Sequence, residues 1–263
     1  MNQVEEEYFM SICFVGAGPG DPDLITVKGK KLLAEADIII YAGSLVNPKL
    51  LDGSKPGTAI YNSAGMTLNE VLEVMIAAEK EDKKIVRLHT GDPSLYGATQ
   101  EQMDYLREKE IDFEVVPGVS SFLAAGASLK QEFTLPEVSQ TVIITRREGR
   151  TPVPEKEKLS SLASHNCTLC IFLSVHMISE VVDELKAGGY QEDTPIAIVY
   201  KASWPEEKVV KSTLKNIAEK VEEEGVRKTA LIIVGDFLRG NYALSKLYDP
   251  EFTHEYRHGN SSN

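Results

Sequence analysis

Short apolar runs alternate with amphipathic stretches through the first half of the chain. Ile12-Cys13-Phe14-Val15 is one such run, and residues 27–36 follow it with helical periodicity. Residues 38–41 repeat the strand signal and end at Ala42-Gly43-Ser44. Thr67-Leu68-Asn69-Glu70 fits a capping box. Leu68, Val71, Leu72, Met75 and Ile76 then recur at i, i+3, i+4, i+7 and i+8, which predicts a helix with one core face. Residues 85–88 predict a strand, 100–109 a helix, 113–116 a strand and 122–128 a helix. Four times a strand leads through a loop to a helix. The pattern predicts an α/β fold with a mainly parallel sheet and its chemistry at the carboxyl ends of the strands.

The rhythm breaks over 130–136, where an inter-domain link is expected. Beyond it, 141–145 predicts a strand, and Pro154 can open a helix reaching Ala163. Residues 168–173 predict a strand. A helix follows with Ile178, Val181, Val182 and Leu185 inward and Gly188-Gly189 as its stop. Residues 196–200 predict a strand, 209–212 an edge strand, Leu214, Ile217 and Val221 a helix, and 229–234 the last strand. The expected division is a disordered tail over 1–10, α/β domains over 11–130 and 131–248, and an irregular tail over 249–263.

Composition narrows the classes. The chain has 263 residues, 42% of them hydrophobic, and a net charge of −12. That charge argues against nucleic-acid or anionic-membrane binding. No apolar run approaches the ~18 residues of a membrane span. The acidic start lacks the basic region of a secretory signal, so a cytoplasmic protein is expected. Cys167-Thr168-Leu169-Cys170 has no second ligand pair for zinc and runs into a strand, so with Cys13 these read as core thiols, and no metal site is expected.

Four loops, over 16–22, 90–97, 117–121 and 201–205, collect the unusual residues. The first contains Gly16-x-Gly18-x-Gly20, but Asp21 stands where the dinucleotide fingerprint needs its third glycine, and Pro19 has no N–H to offer a phosphate. Residues 41–43 supply no acidic ribose partner either. Both departures disfavour a nucleotide-binding oxidoreductase, which stands as the alternative of another class.

Taken in order, Phe14-Val15-Gly16-Ala17-Gly18-Pro19-Gly20-Asp21-Pro22, Thr90-Gly91-Asp92-Pro93, Val116-Pro117-Gly118-Val119-Ser120 and Leu231-Ile232-Ile233-Val234-Gly235 resemble the tetrapyrrole (corrin/porphyrin) methylase family. The resemblance covers about residues 11 to 258. It implies a two-domain α/β fold, each domain a largely parallel or mixed sheet flanked by helices, with S-adenosylmethionine held in the cleft between them. Tyr41-Ala42-Gly43-Ser44-Leu45-Val46, the 145–155 segment, Tyr200-Lys201-Ala202-Ser203-Trp204-Pro205 and Ser245-Lys246-Leu247-Tyr248-Asp249-Pro250 are similar to the branch that methylates C11 of precorrin-4 or its cobalt-containing counterpart in cobalamin biosynthesis. Another ring carbon of a corrinoid or porphyrinogen is the alternative within the fold.

The resemblance implies cofactor contacts at Pro19, Thr90, Gly91, Asp92, Leu95, Ser120, Ser121, Leu173, Ala202, Thr229 and Ala230. It also implies a homodimer. Members that methylate uroporphyrinogen carry an Asp after the second-strand tyrosine and a Lys further on, where this chain has Ala42 or Gly43 and Asn62 or Ser63. That departure argues against uroporphyrinogen as substrate. An acidic tetrapyrrole needs local cations on an acidic protein. Arg146, Arg147, Arg150 and Lys201 are the candidate carboxylate anchors. Asp21 and Tyr96 are the catalytic candidates, and His89, a lone histidine at a strand end, is read as structural.

Overall fold

The computed structural model describes residues 10–259. The chain forms two compact units. One runs to Ala125 and takes in Lys201–Glu207; the other comprises Gly126–Tyr200 and the chain from Lys208 on. The division therefore falls inside a continuous helix, where no change of composition marks it, rather than in the 130–136 stretch.

The first unit contains β1 (Ile12–Gly16), α1 (Val27–Glu35), β2 (Ile38–Tyr41), β3 (Ala59–Asn62), α2 (Leu68–Lys80), β4 (Ile85–His89), α3 (Gln100–Glu108), β5 (Phe113–Val116) and the start of α4 (Ser121–Leu129). The strands pair in the order β3-β2-β4-β1-β5, all parallel. β1 and β4 are buried along their whole length, which explains their unbroken apolar runs. Alternate residues serve opposite cores. Cys13, Val15, Ile39 and Val86 gather with Leu32 and Leu33 of α1. Ile12, Phe14, Ile40 and Ile85 gather with Val71, Leu72 and Met75 of α2 and Leu106 of α3. The capping box forms: Thr67 Oγ1 accepts from the Glu70 N–H, and Glu70 Oε2 accepts from the Thr67 N–H.

This order places a topological switch between β1 and β4. The chain leaves β1 toward β2 and leaves β4 the other way, toward β5. In parallel sheets ligands bind at such a point, beyond the strand carboxyl ends. The loops that begin there are 17–22 and 90–97. The apolar-run reading passed over one element, β3. All four of its residues are exposed, so it is held by its ladder with β2 and not by a buried face.

The second unit contains β6 (Val142–Arg146), α5 (Leu159–Ala163), β7 (Thr168–Phe172), α6 (Ile178–Ala187), β8 (Pro195–Tyr200), β9 (Lys208–Thr213), α7 (Ile217–Glu223) and β10 (Ala230–Val234). Its sheet order is β6-β7-β10-β8-β9; β6 and β7 run parallel and the other neighbours antiparallel. Leu169, Ile171, Ile198 and Ile232 form its core with Leu159, Val181, Leu185, Ile217 and Val221. The helix expected from Pro154 is broken. Pro154 precedes a 3-10 turn over Glu155–Glu157, Lys158 is extended, and only α5 follows. Glu155-Lys156-Glu157-Lys158 offers no apolar face to hold a longer helix. Leu214 is buried but precedes α7.

All three cysteines are free and buried. Burial pushes the Cys170 thiol up to about 12 and the Cys13 thiol up to about 11. Among the described residues no helix is long and apolar enough to cross a membrane. The tail expected over 1–10 lies outside the described residues except for Met10, which is half-buried against the α1 side of the first sheet. Over 249–259 there is neither helix nor strand. The Arg257 guanidinium donates there to the carbonyls of Leu247 and Asp249.

Candidate functional site

Backbone meets backbone at the carboxyl ends of β1, β4 and β5. A Cβ on Gly118 would lie 2.7 Å from Gly16 Cα and closer still to the Gly91 carbonyl oxygen. A Cβ on Gly16 would lie 2.5 Å from Gly118 Cα. Gly18 and Gly91 exchange N–H···O bonds of 3.2 and 2.9 Å, and the Ala17 N–H donates to the His89 carbonyl at 2.7 Å. The three loops are thus locked together at the switch point by direct backbone contact.

Asp92 braces this junction. Its Oδ2 accepts from the Gly118 N–H at 2.8 Å, and its Oδ1 accepts from the Ser94 N–H at 2.8 Å and from the Ser94 hydroxyl. Burial works to raise the carboxyl pKa, but the Ser94 and Gly118 hydrogen bonds outweigh it and hold the group below its ordinary range. Thr90 donates through Oγ1 to the Leu45 carbonyl, and Leu95 is half-buried, its N–H donating to the Asp92 carbonyl. Ser120 is buried, and its carbonyl accepts from the Leu123 and Ala124 N–H groups as α4 begins at Ser121.

His89 is buried, and its Nδ1 lies 2.8 Å from the Thr90 carbonyl. Burial lowers its pKa against the opposing pull of that carbonyl, so the ring is neutral at neutral pH. This is the structural role read for a lone histidine. Two residues earlier, the buried Arg87 guanidinium donates to Gln102 Oε1 and to the Ile40 carbonyl; burial brings its pKa down to about 10. Motif reading singled out neither Arg87 nor Gln102. Tyr96 is 44% exposed with φ +52, a left-handed backbone rare for a bulky residue.

In the first loop Pro19 and Gly20 are buried. The Asp21 carboxylate accepts from the Asp23 N–H and caps the 3-10 turn Pro22–Leu24, while its own N–H donates to Ser203 Oγ. The side chain proposed as catalytic is therefore engaged in bracing its turn. Ala202, in the segment that belongs with this unit, is buried.

In the second unit Leu173 follows β7 with φ +55 and is 60% exposed. Thr229, also at φ +55, leads into β10, and Ala230 pairs with Tyr200. The antiparallel register that sets Ile232 against Ile171 continues to bring Leu173 and Ala230 to one end of neighbouring strands. Strained, non-glycine backbone carrying an exposed leucine is a feature that clusters at ligand sites.

The three loop arginines, equivalent in sequence, differ in structure. Arg146 donates to the carbonyls of Thr151 and Pro152 at 3.1 and 2.8 Å and closes its own loop. Arg147 pairs with Glu184 of α6 at 2.7 Å. Arg150 is exposed and has no ion pair or hydrogen bond among the described residues. Lys201 lies over the Trp204 ring and 3.6 Å from Glu206.

Residues 11–218 match the family described as Tetrapyrrole (Corrin/Porphyrin) Methylases. A cobalt-precorrin-4 C(11)-methyltransferase of Methanocaldococcus jannaschii is 64% identical over 94% of this chain and 95% of its own length. The X-ray structure of a cobalamin biosynthetic cobalt precorrin-4 methyltransferase aligns with a TM-score of 0.85 at 50% identity, covering 86% of this chain and 95% of that one. A uroporphyrin-III C-methyltransferase from Thermus thermophilus, complexed with S-adenosylhomocysteine, aligns with a TM-score of 0.75 at 30% identity, covering 88% and 99%. With its parallel sheet, its glycine-lined switch point and these full-length likenesses, the chain belongs to the tetrapyrrole (corrin/porphyrin) methylase family.

Proposed function

We propose that this chain is an S-adenosylmethionine-dependent C-methyltransferase that methylates C11 of cobalt-precorrin-4 or precorrin-4, giving the corresponding precorrin-5 in cobalamin biosynthesis. The observation that carries the reading is the 64% identity, across 94% of the chain, to a relative named for that reaction. The glycines of the junction let the loop backbones pack directly on one another, and Pro19 withholds the N–H that a phosphate cradle requires, which favours a cofactor other than a dinucleotide.

When bound, S-adenosylmethionine supplies a methyl group already activated on a sulfonium sulfur. The chain's residues then have positioning and water exclusion as their work. We assign Pro19, Thr90, Gly91, Asp92, Leu95, Ser120 and Ser121 to the cofactor, with Leu173, Ala202, Thr229 and Ala230 around its adenine. Asp92 keeps the 90–97 loop in place, and its carboxylate favours a nearby cation. An electron-rich ring carbon of a reduced tetrapyrrole needs no Ser, Cys or Lys nucleophile. The net charge of −12 disfavours a nucleic-acid substrate. We further read the protein as cytoplasmic and as a homodimer; sedimentation equilibrium of the purified chain checks the dimer.

Incubation with purified precorrin-4 and cobalt-precorrin-4 and methyl-labelled S-adenosylmethionine is expected to place the label on C11. Label on another ring carbon would move the reading within the family. Tight binding of NAD without S-adenosylhomocysteine would overturn it.

Among the arginines we take Arg150, exposed and without an ion pair or hydrogen bond among the described residues, as the anchor for substrate carboxylates. Arg150→Ala is expected to raise the tetrapyrrole KM about tenfold with an unchanged melting temperature. Arg146→Ala is expected to destabilise the protein instead, by about 0.5–1.5 kcal/mol, because its exposed loop carbonyls exchange a charged donor for water. Thermal melts and substrate kinetics on both variants separate the two roles.

A further inference from the structure

Three consecutive backbone groups of the first loop are held by side chains from elsewhere in the first unit. The Pro19 carbonyl accepts from the Trp204 indole N–H at 3.0 Å. The Gly20 carbonyl accepts from Asn47 Nδ2 at 2.7 Å. The Asp21 N–H donates to Ser203 Oγ at 3.0 Å. The ring of Trp204 also fills the space beside Gly20. A Cβ there would lie 2.8 Å from Trp204 Cε2 and closer still to Cδ1 and Nε1, so only glycine fits.

The segment that supplies Ser203 and Trp204 is itself held in an unusual shape. Lys201 and Ser203 have φ of +47 and +68, left-handed values that side-chain-bearing residues seldom adopt. Local bonds maintain them. The Trp204 N–H donates to the Lys201 carbonyl at 2.9 Å, the Ser203 N–H donates to Glu207 Oε2 at 2.6 Å, and the Glu207 N–H donates to the Trp204 carbonyl at 3.0 Å. Lys201 Nζ stands 5.3 Å from the centre of the indole ring. The chain leaves β8 at Tyr200 and re-enters the second sheet at Lys208, and the seven residues between them belong with the first unit.

We propose that Trp204 is a positioning residue for cofactor binding: with Ser203 and Asn47 it clasps residues 19–21 and fixes the Pro19 loop in its binding shape. The proposal rests on the assignment of Pro19 to S-adenosylmethionine. It adds a role for a residue that touches the loop and not the reacting atoms. Proline already fixes one backbone angle of the loop, and the clasp fixes the carbonyl on its other side. A loop held in this way binds its ligand without a further ordering cost. Trp204 is also the one tryptophan in the sequence, so tryptophan emission reports on this indole and its surroundings.

The test uses the full chain, with S-adenosylhomocysteine as the probe. In the wild type, titration is expected to shift the tryptophan emission with the same Kd that calorimetry gives. Trp204→Phe keeps an aromatic ring but removes the N–H donor. It is expected to weaken S-adenosylhomocysteine binding about tenfold and to raise the KM for S-adenosylmethionine, with kcat at saturation within about twofold of wild type. Gly20→Ala keeps the tryptophan but drives a methyl group into its ring; its emission is expected to shift to the red and its binding to weaken comparably. A role in folding alone would lower the melting temperature and leave the Kd unchanged, so Trp204→Phe binding as tightly as wild type overturns the clasp. If that variant does not fold, Ser203→Ala decides in the same way. Wild-type protein that binds no S-adenosylhomocysteine overturns the functional reading, and the clasp with it.

Discussion

Gly118→Ala is expected to abolish binding of S-adenosylhomocysteine and to lower the melting temperature by about 5–10 °C. The added Cβ would lie 2.7 Å from Gly16 Cα and nearer still to the Gly91 carbonyl oxygen. Both obstacles are backbone atoms at the ends of buried strands, and neither can rotate away. Overpacking of this kind costs about 1–3 kcal/mol, and in a chain of this size each kcal/mol moves the midpoint about 2–4 °C. The strain has one outlet, which is to separate the ends of β1, β4 and β5. That movement carries the 17–22 and 90–97 loops apart, so binding suffers more than stability. Gly53→Ala is the control. Nothing lies within 4 Å of a Cβ there, and its melt is expected to stay near wild type. Thermal denaturation and calorimetry on both variants make the comparison. A Gly118→Ala protein with wild-type affinity would show that the junction can loosen without consequence.

The position of Gly118 is a good measure of what the sequence discloses. Strands β1, β2 and β4 are legible because both their faces are covered, so nearly every residue is apolar. β3 escapes the same reading because it lies at the sheet edge with all four residues exposed; its pairing with β2 leaves no mark on composition. The unit boundary escapes for a related reason. It falls within α4, whose residues form one helix whichever unit they serve. The glycines themselves are visible as motif residues. That Gly16, Gly91 and Gly118 meet at one point is a consequence of strand order, which periodicity does not encode.

Side-chain roles follow the same rule. The residue types in the 90–97 loop point to a ligand, yet the partners of Asp92 lie at Ser94 and across the junction at Gly118. Arg146, Arg147 and Arg150 look interchangeable in a loop of three arginines. They are separated by Glu184, which comes from a helix 37 residues away, and by carbonyls that the loop presents only once folded. Trp204 lies 185 residues from the carbonyl it holds, too far for any local pattern to announce the contact.

Asp92→Asn is expected to weaken S-adenosylmethionine binding about tenfold more than it weakens S-adenosylhomocysteine binding. The two ligands differ in charge at sulfur, a sulfonium against a neutral thioether. The carboxylate is held ionised by the Ser94 hydroxyl, the Gly118 N–H and the Ser94 N–H, against the opposing effect of burial. In an effective dielectric of ~20, one charge is worth about 1–2 kcal/mol to another roughly 10 Å away, which is about the factor predicted. Asparagine has the same shape but offers one acceptor where the aspartate offers two. Its amide hydrogens must face either the Gly118 N–H or the Ser94 donors, so the variant is also expected to lose about 1–3 kcal/mol of stability at neutral pH. The sign of the pH dependence follows from the depressed pKa. The wild-type contribution is present above the unfolded-state value, about 3.9, and is lost as pH falls through the lower folded-state value. The substituted amide does not titrate, so the melting-temperature gap between wild type and variant is expected to hold from neutral pH to about pH 5 and to narrow below about pH 4. A gap that persisted unchanged into that acid range would show that the loss does not depend on the ionised carboxylate, and equal weakening of the two ligands would remove the charge from the argument.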